Sequence, residues 1–186
     1  MHEPHLHEPW GAFLRDLDQR VGGPTELHCL GGFVIASMHN FTRVTADVDV
    51  IQARGTSAAE VAKLAGRGSP LHTQHKVYID IVTVASVPED YEARLIPLFP
   101  TTFARLRLMA LEPHDLVLAK LARNIDRDRE DVRRLATNGE LDTDVLQRRY
   151  DEELRFQSGR PEREDLTLRL WIEMIREIQG QGSPSA

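Results

Sequence analysis

The spacing of hydrophobic and polar residues predicts an alternation of helices and strands in the first half of the chain. Apolar residues between Trp10 and Val21 recur at intervals of three and four, which is typical of an amphipathic helix. The run LHCL that follows predicts a short strand ending at Gly31 and Gly32. The next segment, FVIASMH, is apolar on almost every side, which indicates a short helix buried on most of its surface.

Three later segments have the composition of β-strands. TADVDVIQA, residues 45–53, and KVYIDIVTVA, residues 76–85, are rich in β-branched residues. Between them, Ser57 and Glu60 have the spacing of a capping box, which predicts the start of a helix. Residues 104–111, ARLRLMAL, alternate arginine with leucine, as expected for a half-exposed strand.

The second half of the chain has the period of helices rather than strands. Pro113 suits the first turn of a helix, and the apolar positions after it repeat with helical spacing. Helices are expected over residues 112–124, 127–137, from 142 onward and 161–179. The predicted fold class is therefore α+β, a small mixed β-sheet flanked by helices and followed by a helical C-terminal segment.

The composition is that of an ordinary globular chain of 186 residues, with 41% hydrophobic and 28% charged residues. The net charge of −6 argues against general electrostatic binding of nucleic acid or of an anionic membrane. The single cysteine, Cys29, cannot form an internal disulfide, and no apolar run approaches the roughly 18 residues that span a bilayer. These features predict a cytoplasmic protein with no membrane partner.

Asp47 and Asp49 stand inside a predicted strand, although strands disfavour aspartate. Residues i and i+2 of a strand point to the same face, with Cα atoms about 6.5–7 Å apart, so the two carboxylates project together. Val48 and Val50 then face the core. Two carboxylates this close repel each other unless a cation lies between them, and Mg²⁺ prefers such oxygen ligands. The alternative is that both are solvent-facing residues of an edge strand.

Asp80 repeats this pattern in the strand predicted over residues 76–85. It shares a face with Tyr78, whereas most of the alternate residues of that strand are apolar. If this strand neighbours the one that carries Asp47 and Asp49, the three carboxylates form a cluster that can hold one or two metal ions. Such ions in turn clamp the phosphates of a nucleotide. A solvent-facing position is the alternative for Asp80 as well.

Gly31 and Gly32 stand between a predicted strand and a predicted helix, just ahead of the paired aspartates. Because glycine has no Cβ, such a turn allows backbone N–H groups to approach an anion closely. The positive N-terminal end of the following helix adds to this effect, so a phosphate fits there. The alternative for a glycine pair alone is a tight turn.

The segment LGGFVIASMHNFTRVTADVDVI resembles the nucleotidyltransferase fold of the DNA polymerase β superfamily. In that superfamily a Gly-Gly or Gly-Ser pair opens a short helix, a D-x-D or D-x-E strand follows, and a third acid lies on a later strand. Within it, the segment is most similar to minimal nucleotidyltransferases related to AbiEii-type toxins. These carry an R-x-T-x-D-x-D run, which corresponds here to Arg43, Thr45, Asp47 and Asp49.

A second segment, LMALEPHDLVLAKLARNIDRDREDVRRL, is similar to a later block of the same family. That block is a P-x-D-L-x-x-x-K helix followed by an acidic, arginine-rich stretch, and Lys120 is the matching lysine. The resemblance extends from about Leu27 to Leu135.

The resemblance implies transfer of a nucleoside monophosphate from an NTP to a hydroxyl group. Asp47, Asp49 and Asp80 would be the catalytic residues and the ligands of Mg²⁺ or Mn²⁺, and Asp80 would also act as the base or orient it. Gly31 and Gly32 would hold the β- and γ-phosphates of the nucleotide. Positioning and charge neutralisation would supply most of the rate, as in other phosphoryl transfers.

Three further residues are candidates for nucleotide binding. Lys120 either neutralises a phosphate or carries its charge along an apolar helix face to water. Arg43 either contacts the triphosphate or pairs with a carboxylate. Thr45 is favoured as a strand residue that bonds to the backbone.

The resemblance also implies an organisation of the chain and a set of partners. The expected segments are an N-terminal helix that packs on the core (1–26), a nucleotidyltransferase-like core (27–136), a C-terminal helical segment (137–179) and a disordered tail (180–186). The acceptor would be an RNA 3′ end, as in a tRNA, or a protein hydroxyl. The chain would be the toxin of a toxin–antitoxin or phage-defence module, with a cognate antitoxin as partner.

Two alternatives remain at this point. One is a catalytically inactive module that binds a nucleotide or a partner on the same fold, because Gly32 stands where many active members carry serine. The other is a structural domain that binds no nucleotide.

Overall fold

The computed structural model describes residues 6–39, 45–83 and 86–181 of the chain. The chain divides into two compact units. The first, which we call the sheet unit, is built from the described residues within Met1–Val84 and from Leu95–Leu111. The second, the helical unit, is built from the described residues within Ala85–Arg94 and Glu112–Ala186.

The sheet unit combines helices with a five-stranded sheet. Its helices are α1 (Trp10–Arg20), α2 (Gly31–His39), α3 (Ala58–Ala65) and α4 (Pro70–His75). Its strands are β1 (Thr25–Leu30), β2 (Asp47–Arg54), β3 (Tyr78–Ile81), β4 (Ile96–Leu98) and β5 (Leu106–Ala110). The predicted α+β class is confirmed.

The strands are arranged in the order β3-β2-β1-β5-β4. The pairs β1–β2 and β4–β5 are antiparallel, whereas β1–β5 and β2–β3 are parallel. The sheet is therefore mixed, as predicted. The parallel pairing of β2 with β3 sets the two aspartate-bearing strands side by side, which is the condition that the predicted carboxylate cluster requires.

The local causes of the first helices are those expected from the sequence. Phe13, Leu14 and Leu17 of α1 are fully buried, as their spacing predicts. At the start of α3, the Ser57 hydroxyl accepts a hydrogen bond from the backbone N–H of Glu60. The Glu60 carboxylate accepts one from the backbone N–H of Ser57, so the predicted capping box is confirmed.

Asp18 connects α1 to the start of β5. Its carboxylate accepts hydrogen bonds from three successive backbone N–H groups, those of Ala104 at 3.0 Å, Arg105 at 2.7 Å and Leu106 at 2.7 Å. Burial alone raises the pKa of the Asp18 carboxyl, but the three backbone donors outweigh it and hold this pKa below its usual range. The ionised carboxylate therefore stabilises the turn into β5.

Two short elements of the sheet unit, α4 and β4, were not predicted from the sequence. Ser69 caps α4 by accepting a hydrogen bond from the N–H of His72 at 3.1 Å, and Pro70 supplies the first helical residue. A helix of six residues is too short to show a period. The three residues of β4 include Pro97, which has no N–H to donate and interrupts the strand pattern.

Strand β1 ends at Leu30 and helix α2 begins at Gly31, so the glycine pair stands at the predicted junction between strand and helix. The predicted bounds of the strand that carries Asp80 were wrong. Strand β3 covers only Tyr78–Ile81, because Lys76 adopts a left-handed conformation, with φ of 61°, at the end of α4. Val82 and Thr83, which were predicted to belong to the strand, lie outside it.

The outer strands of the sheet are its shortest. β3 has four residues, and Gly66 forms a single parallel bridge to Ile79 on the side away from β2. β4, at the other end of the strand order, has three residues with Pro97 in the middle. The continuous part of the sheet is therefore formed by β1, β2 and β5.

The helical unit contains α5 (Pro113–Leu118), α6 (Asp126–Thr137), α7 (Thr143–Arg149) and α8 (Pro161–Gln181). Its hydrophobic core includes Leu135, Leu146, Tyr150, Trp171 and Ile175. Helix α5 ends six residues before its predicted end. Helix α8 continues to Gln181, so Gly180 and Gln181 are helical although they were predicted to lie in a disordered tail; residues 182–186 lie outside the described part.

Among the described residues, no helix combines the length and the apolar character needed to cross a membrane.

Candidate functional site

The register between β2 and β3 brings the predicted carboxylates to one face of the sheet. Asp49 lies opposite Asp80, and Asp47 lies opposite Tyr78. Partners in a parallel pair point to the same side, and neighbouring strands lie about 4.8 Å apart. We call the side that carries Asp47, Asp49, Tyr78 and Asp80 the carboxylate face.

The opposite side of these strands is apolar and buried. Val48 and Val50 are fully buried, and Ile79 is 2% exposed. Asp47 and Asp49 are half-buried, whereas Asp80 is exposed. The prediction that the two valines face the core is confirmed, and the hydrophobic backing explains how a strand can hold two aspartates at a fixed spacing.

Gly31 is required by the position of Asp49. A Cβ built on Gly31 would collide with Oδ2 of Asp49, and Gly31 has φ of +77°, a conformation that L-residues with side chains rarely adopt. The register explains the proximity, because Leu30, the residue before Gly31, lies opposite Asp49. The first turn of α2, with its backbone N–H groups, therefore begins directly beside the carboxylate face.

The charge of Asp49 also reaches the buried thiol of Cys29. Burial raises the pKa of Cys29 to about 12, and the negative charge of Asp49 contributes to this shift. The thiol stays protonated at neutral pH, so Cys29 is a buried apolar group of β1 and not a nucleophile.

Gly32 is required by Thr45. A Cβ at Gly32 would lie 2.7 Å from Cγ2 of Thr45, closer than real Cβ contacts. Thr45 is itself held in place, because its hydroxyl donates to the carbonyl of Asp47 at 2.9 Å and its carbonyl accepts from Nε1 of Trp10 at 3.1 Å. The predicted bond from Thr45 to the backbone is confirmed, but Thr45 lies two residues before β2 and is not a strand residue. Its role in nucleotide binding stays a prediction, and Arg43 lies outside the described residues.

The donor chemistry of the carboxylate face fits a divalent cation, although the face does not form a closed metal cage. Among the described residues, no group of three His, Cys, Asp or Glu side chains is arranged so that it could hold a metal ion. Magnesium at phosphate sites is usually bound by one or two carboxylates, with water and phosphate oxygens as the other ligands. Two adjacent aspartates beside a helix N-terminus meet that requirement for Mg²⁺ or Mn²⁺.

Lys120 belongs to the helical unit and is buried, with 5% of its surface exposed. Its ammonium group lies 2.9 Å from Oδ2 of Asp131 and 3.3 Å from Oδ1 of Asp128. The interpretation that Lys120 carries its charge to water is therefore wrong. Its role in nucleotide binding stays a prediction.

Asp128 is the centre of this ion-pair cluster. It is fully buried and also accepts a hydrogen bond from Nε of Arg123 at 2.9 Å. Burial raises the pKa of Asp128, but the hydrogen bond from Arg123 and the charge of Lys120 outweigh it, so this pKa lies below its usual range. The charged stretch after Lys120 is therefore not exposed to solvent along its whole length, because Asp128 and Asp131 are buried.

A second ionic network of the helical unit was not predicted. Asp115, which has no exposed surface, accepts hydrogen bonds from Nε and Nη2 of Arg94 and from Nη1 of Arg149, at 3.0, 3.2 and 2.9 Å. Arg94 also donates to Glu153 at 2.7 Å. Residues more than 20 positions apart form these bonds, so no local spacing signals them.

Arg67, beside the carboxylate face, was not predicted as a site residue. Its guanidinium carbon lies 4.5 Å from the centre of the Tyr78 ring, and its Nη2 donates a hydrogen bond to the Tyr78 hydroxyl. Tyr78 was predicted to share a face with Asp80, but nothing in the sequence relates it to an arginine in the turn between α3 and α4.

A cavity of about 670 Å³ lies at the other end of β1 and β2, lined by residues that include Arg20, Gly23, Thr56 and Lys63. None of the predicted site residues lines it.

Comparison with known proteins identifies the family. Searches of curated proteins and of solved structures gave no match. A family model described as a nucleotidyltransferase of unknown function (DUF6036) matches residues 15–179, which is most of the chain. The match covers the glycine turn, β2 and β3, and the Lys120 cluster. The chain therefore belongs to this nucleotidyltransferase family.

Proposed function

We propose that the protein is a metal-dependent nucleotidyltransferase that transfers a nucleoside monophosphate from an NTP to a hydroxyl acceptor. The observation that carries the proposal is the register of β2 and β3, in which Asp80 lies opposite Asp49. It is supported by the family, whose members are described as nucleotidyltransferases.

The residues of the carboxylate face have different roles in the proposed reaction. Asp47 and Asp49 would hold Mg²⁺ or Mn²⁺, which would neutralise charge on the triphosphate when bound. The backbone N–H groups at Gly31 and Gly32 donate to the β- and γ-phosphates. Asp80 accepts the proton of the acceptor hydroxyl or orients the base that accepts it.

The reaction balances without a further reagent. The hydroxyl oxygen of the acceptor forms a bond to the α-phosphorus, and the bond from that phosphorus to the oxygen that bridges to the β-phosphate breaks. Pyrophosphate leaves with the electron pair of that bond. Lys120 and Arg43 are included as nucleotide-binding residues on the family resemblance alone.

The acceptor in this proposal is an RNA 3′ end, as in a tRNA, or a hydroxyl of a protein. The R-x-T-x-D-x-D run supports a relation to AbiEii-type toxins and therefore a toxin role, with a cognate antitoxin as the partner that silences it. Transfer to the first acceptor labels RNA and transfer to the second labels protein, so one experiment distinguishes them.

The test is incubation of the protein with Mg²⁺, a cell lysate and each of the four NTPs labelled at the α-phosphate. The proposal expects label in RNA or in protein on a denaturing gel, and its loss in Asp47→Asn. Asp144→Asn is the matched control, because its side chain is 91% exposed on α7. Absence of transfer with all four NTPs, or transfer unchanged in Asp47→Asn, would contradict the proposal.

The second candidate is a catalytically inactive module that binds a nucleotide or a partner. The fit of Thr45 against Gly32 favours it, because a serine hydroxyl at position 32 has no room. Binding of Mg²⁺–NTP without transfer supports this candidate. If neither binding nor a Mg²⁺-dependent thermal shift occurs with any NTP, a domain that binds no nucleotide remains.

A further inference from the structure

Tyr78 and Arg67 form a fixed pair at the β3 side of the carboxylate face. Tyr78 lies opposite Asp47 in the strand register and is only 6% exposed. The guanidinium of Arg67 lies over its ring, and the ring of His72 packs edge-on against it at 5.1 Å between centroids. The hydrogen bond from Nη2 of Arg67 to the Tyr78 hydroxyl adds a second constraint on the guanidinium.

Arg67 has no carboxylate partner among the residues that the structure describes. The residue is exposed, and in the part of the chain that the structure describes its side chain contacts Tyr78 and forms no ion pair. Most of its N–H donors are therefore available to a ligand. Holding a long side chain in one position costs conformational entropy, and a planar guanidinium matches the oxygens of a phosphate.

The strand order separates Arg67 from the glycine turn. Gly31 follows β1, which pairs with one edge of β2, whereas Tyr78 is on β3, which pairs with the other edge. The carboxylates of Asp47 and Asp49 thus have a group suited to binding an anion on each side. Because the glycine turn is assigned to the β- and γ-phosphates, the β3 side is left for another phosphate.

We propose that Arg67, held by Tyr78, is a phosphate-binding residue that positions a substrate at the β3 side of the carboxylate face. This inference rests on the proposed function. The phosphate group has two sources in such a reaction, the NTP itself and the phosphodiester backbone of a nucleic-acid acceptor. The binding measurements below distinguish them.

The test compares Arg67→Ala and Arg67→Lys with the control Arg107→Ala. Arg107 has a side chain that is 70% exposed and lies on β5, three strands from β3, which is about 14 Å across the sheet. Dissociation constants are measured for each Mg²⁺–NTP and for a short labelled single-stranded RNA. The acid variant Asp49→Asn is included in the transfer assay.

Arg67→Ala is expected to weaken binding of one of the two probes about tenfold, the size of a lost hydrogen bond to a charged group. Arg67→Lys keeps the charge but not the planar fork, so about a threefold loss is expected. Arg107→Ala should leave both probes within twofold. A loss confined to the NTP assigns the phosphate to the nucleotide, and a loss confined to RNA assigns it to the acceptor.

Unchanged binding of both probes in Arg67→Ala, or an equal loss in Arg107→Ala, overturns the inference. If Arg67→Ala does not fold, Arg67→Lys decides, and wild-type affinity for both probes in that variant overturns it. If the wild type transfers nucleotide and Asp49→Asn does not, the proposed function stands even when substitution of Arg67 has no effect. A wild type that binds neither probe contradicts both.

Discussion

Oδ2 of Asp49 lies where the first carbon of a side chain at Gly31 would stand. The metal-binding candidate and the phosphate-binding candidate are thus in direct contact, and the glycine is needed for two reasons. Its φ of +77° costs an L-residue about 1–2 kcal/mol, and any Cβ would push the carboxylate away.

Gly31→Ala is therefore expected to lower the free energy of unfolding by at least about 1–2 kcal/mol and to reduce nucleotide transfer by displacing Asp49. Urea denaturation and the transfer assay measure the two effects. Gly22→Ala is the control, since nothing lies within 4 Å of a Cβ at Gly22. Wild-type stability and activity in Gly31→Ala would show that the turn does not hold Asp49.

Asp49 and Asp80 are expected to be coupled, because they lie opposite each other in the register of β2 and β3 and would act on the same bound Mg²⁺–NTP. Asp80→Asn should slow transfer by about 10²–10⁴ if Asp80 acts as the base. In binding of Mg²⁺–NTP, measured by calorimetry, the double variant with Asp49→Asn should cost less than the sum of the single variants. Strict additivity would argue against coupling between Asp49 and Asp80.

The contact between Gly32 and Thr45 predicts a compensating pair of substitutions. Gly32→Ser should destabilise the protein by about 1–3 kcal/mol, because its Cβ would lie 2.7 Å from Cγ2 of Thr45. Thr45→Ser removes that methyl group and keeps the hydroxyl that bonds to Asp47. The double variant should regain most of the loss in urea denaturation. If the double variant is less stable than Gly32→Ser, the contact with Cγ2 of Thr45 is not the cause of the loss.

The parts of the site that lie on regular strands could be predicted from the sequence. A period of two places Asp47 with Asp49 and Tyr78 with Asp80, and burial of the alternate valines requires that arrangement. The predicted carboxylate cluster required β2 and β3 to be neighbours, and the two strands do pair, in parallel.

The parts that depend on irregular segments could not be predicted. Arg67 lies in a turn, and its contact with Tyr78 depends on how the α3–α4 turn passes the edge of β3. Lys120 has the spacing of an ordinary helix residue, but α5 ends at Leu118. Lys120 therefore lies beyond the helix, and the helical period does not set the direction of its side chain. The side chain binds Asp128 and Asp131, eight and eleven residues later.

Lys120→Met is expected to lower the free energy of unfolding by about 3–5 kcal/mol, since it removes the buried ammonium group that Asp128 and Asp131 share. Adding Asp131→Asn should recover part of that loss. Lys63→Met, an exposed position on α3, is the control in urea denaturation. If Lys120→Met unfolds at the wild-type urea concentration, the ion pairs do not stabilise the helical unit.

Asp18 should contribute to the pH dependence of stability. Its pKa is lowered in the folded state, so its contribution is full above the unfolded value of about 4 and is lost as the pH falls through the folded value. Asp18→Asn should cost about 1–2 kcal/mol at pH 7 and reduce the loss of stability in acid. Urea midpoints between pH 2.5 and 7 measure both. If the urea midpoints of the wild type and of Asp18→Asn change in parallel with pH, Asp18 does not contribute to the pH dependence of stability.

The short outer strands of the sheet bear on how the protein avoids self-association. An open strand edge offers unpaired N–H and C=O groups to a second chain, and long edges therefore promote aggregation. β4 offers three residues, one of them Pro97, which has no N–H to donate, and β3 already has Gly66 beside Ile79. Within the described residues, neither end of the sheet offers a long row of unpaired backbone groups on which a strand of a second chain could form.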